Sequence, residues 1–577
     1  MPFVQGSFQI GKWTPDMPLI GQNMVHDMEN AVWHGGVWRA FPKFEGESEI
    51  LFEYRGWEQG ECLLHAGRHR NSVNNEQFNT IITDRAYYLN SQRYALPNDI
   101  TLTANTAINV LTFGQNIILT SGGGSLHRID LLDTSMSIIA GSPSATCMGI
   151  NGDILLVGVA NKVRWANVNT YDGWDETATG TTADTQEFPD GGNVIGLATA
   201  TTTYVFQKRT IRQLIPAPFP AIFTSRLIHK KQGLISPNAL VVQDNAVFFL
   251  SNSGFNILVG EDFEPIGYQK VDRWFFEDVD LRFTERIVAN TYSEKKWIIW
   301  SYKSTRDNPD FQDSHIIYNY AEDAWSLIRQ PSLGTFNFFG ETEIGYAIGD
   351  LSASGVDTTS PAGLPLKTIA ELGLSGAVNE AGEAVKTDDT IAIIGSDTIT
   401  INDEPTDKLL LSSEFGFIVS TSGRTYKIIY KEENISKECK FTTKWMLPTT
   451  QLPDLSPVSG QGVPEFYLRT TRGAYVKNGV AVGVYQKRAD DITLPQTDKG
   501  RIKRGTINFN MSLNRNPLAK GFNSLEDVVI GETGEISICR ASYSWQLEIT
   551  LLEGWQEFHE VQVEIKGAEY FGVGSKL

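Results

Sequence analysis

Three residue groups have types and spacings that could do chemistry. Cys62, His65 and His69 form a C-x2-H-x3-H pattern. Structural zinc needs four convergent ligands, and no fourth Cys or His follows nearby. On a strand, residues 62 and 65 would also point to opposite faces. The spacing therefore describes ordinary histidines, and no metal is expected. The run SGGGS at 121–125 could suggest a phosphate cradle. A P-loop needs GxxxxGK[ST] between a strand and a helix, and both the Lys and the helix are missing. Three glycines between two strand patterns read as a turn that uses positive φ. Acid pairs such as Asp172 with Asp175, or Glu261 with Asp262, could serve glycoside hydrolysis. That chemistry needs two carboxylates facing each other across a sugar, whereas these sit in polar turn sequences. No GxSxG, HExxH or GxGxxG context appears, and the eight histidines form no Ser/His/Asp order. The expectation is a protein that is not an enzyme and carries no cofactor.

The remaining notable residues are suited to contact. Trp165 and Trp174 bracket a polar turn, and basic residues cluster at Lys208, Arg209 and Arg212, at Lys230 and Lys231, and at 501–504. Aromatic and basic side chains at strand ends serve as interface anchors, and the same tryptophans can equally pack between blades. We take Trp165, Trp174, Lys208, Arg209, Arg212, Lys230 and Lys231 as candidate interface residues.

The elements that must position these residues are strands. Among 577 residues, 41% are apolar and 20% charged, with 52 glycines, a composition that excludes disorder, collagen and coiled coil. Short apolar or alternating runs closed by Gly, Asn, Asp and Ser recur throughout, so the class is all-β. The best helical stretches are short, at 364–372 and 22–31. Strand starts near Thr80, Ile117, Ile154, Tyr204, Val247 and Trp297, and more weakly near Tyr346, are 37 to 50 residues apart. A period of about 40 to 50 residues without helices predicts propeller blades, which stack around an axis because one blade cannot bury both its faces. The expected organisation is an N-terminal docking segment (1–45), a β-propeller (46–350), an inserted peripheral domain or arm (351–450) and a C-terminal β-sandwich-like domain (451–577). The arm is suggested by a Ser/Thr/Gly-rich, aromatic-poor composition over 351–407.

The net charge of −19 argues against tight wrapping of nucleic acid, which relies on Lys and Arg neutralising phosphates. It allows an acidic wall past which DNA slides. Four scattered cysteines make no disulfide framework, and neither a signal sequence nor an apolar run long enough to span a membrane is present. These features lead us to expect synthesis in a cytoplasm.

The order of features over 152–323 resembles a known family. It comprises NGDILLVGVANKVRWANVNTYDGWDETATG, then GGNVIGLATATTTYVFQKRTIRQL, then KKQGLISPNALVVQDNAVFFLSNSGFNILVGEDFEPIG, then KWIIWSY and HIIYNYAEDAWS. This series resembles the tail nozzle proteins of short-tailed bacteriophages, also called packaged-DNA stabilisation or tail accessory factor proteins. The end of the chain, CRASYSWQLEITLLEGWQEFHEVQVEIKG, is similar to their closing strands. The arm around 351–407 has no counterpart. The resemblance implies a structural virion protein of the tail, assembled as a homohexameric ring below the portal and its adaptor. Such a ring closes the head, retains packaged DNA and conducts it during ejection. It would contact the portal-adaptor protein, tail fibres, spikes or a needle, and genomic DNA in its lumen. The competing reading is a tailspike-like protein that binds or cleaves host glycans, and a third is a secreted bacterial adhesion propeller.

Overall fold

The computed structural model describes residues 11–18, 24–41 and 61–332 (apart from 91, 104–105, 219–220 and 307–311); elsewhere it describes mainly the backbone of strands. Six consecutive four-stranded antiparallel units, at residues 63–95, 110–138, 147–187, 194–230, 240–265 and 288–328, form the blades of a six-bladed β-propeller. In each unit strand order follows chain order, so a blade is an up-and-down meander built outward from the axis.

Six of the strand starts read from the sequence fall in the second strand of successive blades. These include Asn116–Leu119, Thr203–Gln207 and Trp297–Tyr302, in which every residue is buried. A second strand has blades packed on both of its faces, so it is apolar along its whole length rather than alternating. First strands line the axis and are only half buried, as at Val110–Phe113 and Leu240–Gln243. Tyr346 starts no blade; Tyr346–Ala347 is a short strand paired with Thr390–Ile391.

Strand Gly334–Thr342 lies against the first strands of blades six and one. It opens a further four-stranded sheet, continued by Leu409–Thr421, Arg424–Ile429 and Glu53–Tyr54. A strand from before blade one thus completes a sheet begun after blade six, which ties the two ends of the propeller sequence together. Apart from short strands, the stretch 351–407 lies outside the described residues.

Neither helical expectation is met in the described residues. Residues 25–29 form strand Val25–Glu29, paired with Cys439–Thr443, and Lys367–Thr368 pairs with Thr390–Ile391. Tertiary pairing with distant strands overrides the local pattern. Among the described residues the α-helix is Asp272–Asp278, followed by the 3-10 turn Leu281–Arg286, between blades five and six. Its Phe275 packs edge-on against Phe255 at 4.8 Å and Tyr302 at 4.9 Å. Arg329 donates to both oxygens of Asp278 at 2.6 and 2.7 Å and lies over the Trp274 ring. Removing one member of such a buried pair leaves the other charge uncompensated, so this contact holds the helix in its cleft.

Residues 31–40 form a hairpin at the outer edge of blade six: Ala31 pairs with Leu327, and Trp38 pairs with Phe558 in strand Trp555–Gly567. Trp38 is fully buried, 5.3 Å from Phe441, which stacks on Phe558. The sheet holding Val25–Glu29, Cys439–Thr443 and Ser544–Leu551 therefore packs on the extended blade-six sheet through these rings. Strands from both ends of the chain share one frame beside the propeller.

Candidate functional site

Trp165 and Trp174 both belong to blade three and are buried, 2% and 5% exposed. Trp165 packs edge-on against Phe223 at 5.2 Å and donates its indole N–H to the Thr182 carbonyl at 2.8 Å. Trp174 donates to the Tyr171 carbonyl at 2.9 Å. Both rings and both N–H groups are engaged within the chain, which leaves no indole face for a partner.

The basic candidates come together on blade four. Lys208 and Arg209 are exposed at the turn between its second and third strands, and Lys230 closes its fourth strand with Lys231 just beyond. Antiparallel pairing brings Lys230 opposite Thr210, next to that turn. Arg212 is held inward: it pairs with Asp190 at 2.5 Å and lies over the Phe188 ring. The Arg212 hydrogen bond is the largest influence holding the Asp190 carboxyl below its usual range, and Lys230 adds to it.

Topology sorts charge between the two ends of the propeller. Turns joining first to second and third to fourth strands all lie at one end, which carries exposed Asp153, Asp172, Asp175, Asp244 and Glu261. Lys208, Arg209, Lys230 and Lys231 lie at the opposite end. Two of these acidic turn residues have partners within the chain: Asp175 caps its own turn by accepting from the Thr177 amide at 2.8 Å, and Glu261 pairs with Arg226.

A cavity of about 260 Å³ lies at the axis, lined in part by Glu61, His65, Met148, Leu240, Asn290 and Thr335. Asn109 donates from Nδ2 to Asn238 Oδ1 at 2.7 Å, and Asn238 Nδ2 donates to the Ile108 carbonyl. These residues precede the first strands of blades two and five, which are not neighbours, so the pair spans the axis as a crosspiece. The SGGGS run is the turn between Asn116–Leu119 and His127–Asp130, with Gly122 and Gly123 at φ +74° and +109°.

His65 and His69 share one face of strand Leu63–Arg70, with Nε2 atoms 3.4 Å apart. His69 Nδ1 lies 2.9 Å from Thr112 Oγ1. Burial pulls the His65 pKa down to about 3, helped by His69, and that of His69 to about 4, so both rings are neutral at pH 7. Cys62 is buried, and its amide is held by Asp84 at 2.7 Å. Among the described residues, no three His, Cys, Asp or Glu side chains converge on one point. The axial cavity and its crosspiece were not singled out from sequence; the histidine pair was, as part of the Cys62, His65 and His69 pattern, and the structure brings the two histidines together without Cys62.

No protein-family model matches the chain, and no curated protein matches it in sequence. Solved structures that the chain matches include the computationally designed protein Ika8, at 12% identity and a TM-score of 0.29, covering 47% of this chain and 86% of that one. Hsv2p of Kluyveromyces lactis matches at 8% identity and 0.28, covering 45% and 76%. The designed Ika4 matches at 16% identity and 0.20, covering 29% and 99%. Likenesses of this degree carry no argument about fold or function.

Proposed function

We propose that this chain is a structural protein of a phage tail, a nozzle or hub subunit that assembles with copies of itself into a ring below the portal and adaptor. In this role it closes the head, retains packaged DNA and guides it outward, with fibres, spikes or a needle docking outside, and it performs no catalysis. The observation that carries the reading is the ordered series of strand and turn patterns over 152–323, which coincides with blades three to six.

Two physical features support it. The acidic turns at one end of the propeller repel phosphates over the short range that salt allows, so DNA can pass without being gripped. The propeller's own axis is too small to be that passage. A 260 Å³ cavity crossed by Asn109 and Asn238 admits no duplex, whose major groove alone is about 12 Å wide. A conduit must therefore lie between copies.

Negative-stain imaging and mass measurement of the purified full chain test this. A closed ring of about six copies is expected from the family likeness. A protein that stays monomeric at micromolar concentration, and binds or cleaves host polysaccharide, would replace this reading with the glycan-directed one.

A further inference from the structure

We propose that His65 and His69 form a two-nitrogen site for a borderline divalent transition-metal cation beside the axial cavity, which His65 lines. The inference is independent of the ring.

The strand builds the site by its period. Residues 65, 67 and 69 lie on one face, and the middle position is glycine. A Cβ at residue 67 would lie 2.9 Å from His65 Nε2 and 3.7 Å from His69 Nε2. Gly67 thus leaves open a space that both ring nitrogens border. The Nε2 atoms are 3.4 Å apart. Two nitrogens each bound at about 2.0–2.1 Å to a tetrahedral ion lie roughly 3.3–3.4 Å apart. The two rings already stand at the separation that shared coordination requires.

Thr112 fixes the second ring. His69 Nδ1 lies 2.9 Å from Thr112 Oγ1, and in the tautomer that donates Nδ1–H to that oxygen the lone pair is on Nε2, facing His65. Outer partners of this kind orient metal-bound histidines and hold the needed tautomer. Imidazole nitrogens favour zinc, copper or nickel over calcium and magnesium. Because no third His, Cys, Asp or Glu converges here among the described residues, the remaining coordination positions fall to water, for which the adjoining cavity has room.

The full chain titrated with zinc chloride, with Co2+ absorption as a second probe, tests the site. One zinc per chain is expected, with affinity falling at least tenfold in His65→Gln and His69→Gln and roughly tenfold in Thr112→Val. Gly67→Ala, which fills the space and leaves both ligands present, should also lose the ion. Far-UV and near-UV circular dichroism identify any variant that fails to fold. For those cases, 15N shifts of the His65 and His69 Nε2 atoms on adding zinc to the unaltered chain decide the matter. Absence of a saturable site up to millimolar zinc would mean that the two rings share only a hydrogen bond. Unchanged binding in both folded glutamine variants would place the ion elsewhere. Either result overturns the proposal.

Discussion

At the scale of single residues, burial rather than charge pairing sets the behaviour of the histidines. His315 is fully buried in blade six, with Nδ1 2.7 Å from Ser301 Oγ and Nε2 3.0 Å from the Gln330 carbonyl. Its desolvation outweighs the opposing pull of that carbonyl and of Asp313, and lowers its pKa to about 4. The unfolded chain carries this group near 6.5. A folded pKa below the unfolded one gives stability that is complete above pH 6.5 and lost as pH falls toward 4. Between pH 6.5 and 5 the loss amounts to about 2 kcal/mol for this one site. Urea midpoints measured across that range should fall steadily for the native chain. A His315→Gln variant, lower in stability but without the titrating ring, should lose the part of that slope equivalent to one proton. An unchanged slope would show that His315 does not titrate as described. The tryptophans teach the converse lesson. Residue type marked Trp165 and Trp174 as large anchors, but only the fold decides whether their rings face a partner or, as here, the seams between blade three and its neighbours.

At the scale of elements, the Asn109–Asn238 crosspiece joins blades that sequence separation holds far apart. Asn238 also accepts at its backbone carbonyl from the Ala289 amide at 2.7 Å, which ties blade six to the same point. Asn238→Ala removes the acceptor for Asn109 Nδ2 and the donor to Ile108, and such a loss costs about 1–3 kcal/mol. A double-mutant cycle with Asn109→Ala, read from urea unfolding, should show coupling of about 0.5 kcal/mol or more. Strict additivity would mean that the two amides do not support each other. This element also marks the limit of what sequence could reveal. The second strands were legible because stacked blades bury both their faces and demand unbroken apolar runs. The first strands were not, since a half-buried axial lining has no clean period. Val25–Glu29 was misread as helical because its partner, Cys439–Thr443, lies about 400 residues away and leaves no local trace. The helix Asp272–Asp278 escaped because two turns rich in aromatic residues resemble a buried strand.

At the scale of the whole molecule, an antiparallel meander repeated six times assigns every turn to one end of the propeller or the other. That sorting converts a formal charge of −19 into an acidic end and a basic corner on blade four. Lys208, Arg209 and Lys230 are exposed there, whereas Arg212 is already committed to Asp190 and Phe188. In a ring, rim charges of this kind govern how fast and in what orientation copies or an adaptor dock, more than the stability of each copy. The substitution Lys208→Glu with Arg209→Glu alters only exposed turn positions, so thermal unfolding of the monomer should shift by no more than about 0.5 kcal/mol. Assembly, followed by sedimentation at several salt concentrations, should weaken by tenfold or more at low salt. The difference from the native chain should shrink as salt rises, because screening at about 0.15 M shortens the reach of these charges to about 8 Å. If the doubly reversed chain assembles with native affinity at every salt concentration, the basic corner takes no part in the contact and the ring must close through another surface. If it is the monomer that loses stability, Lys208 and Arg209 support blade four itself.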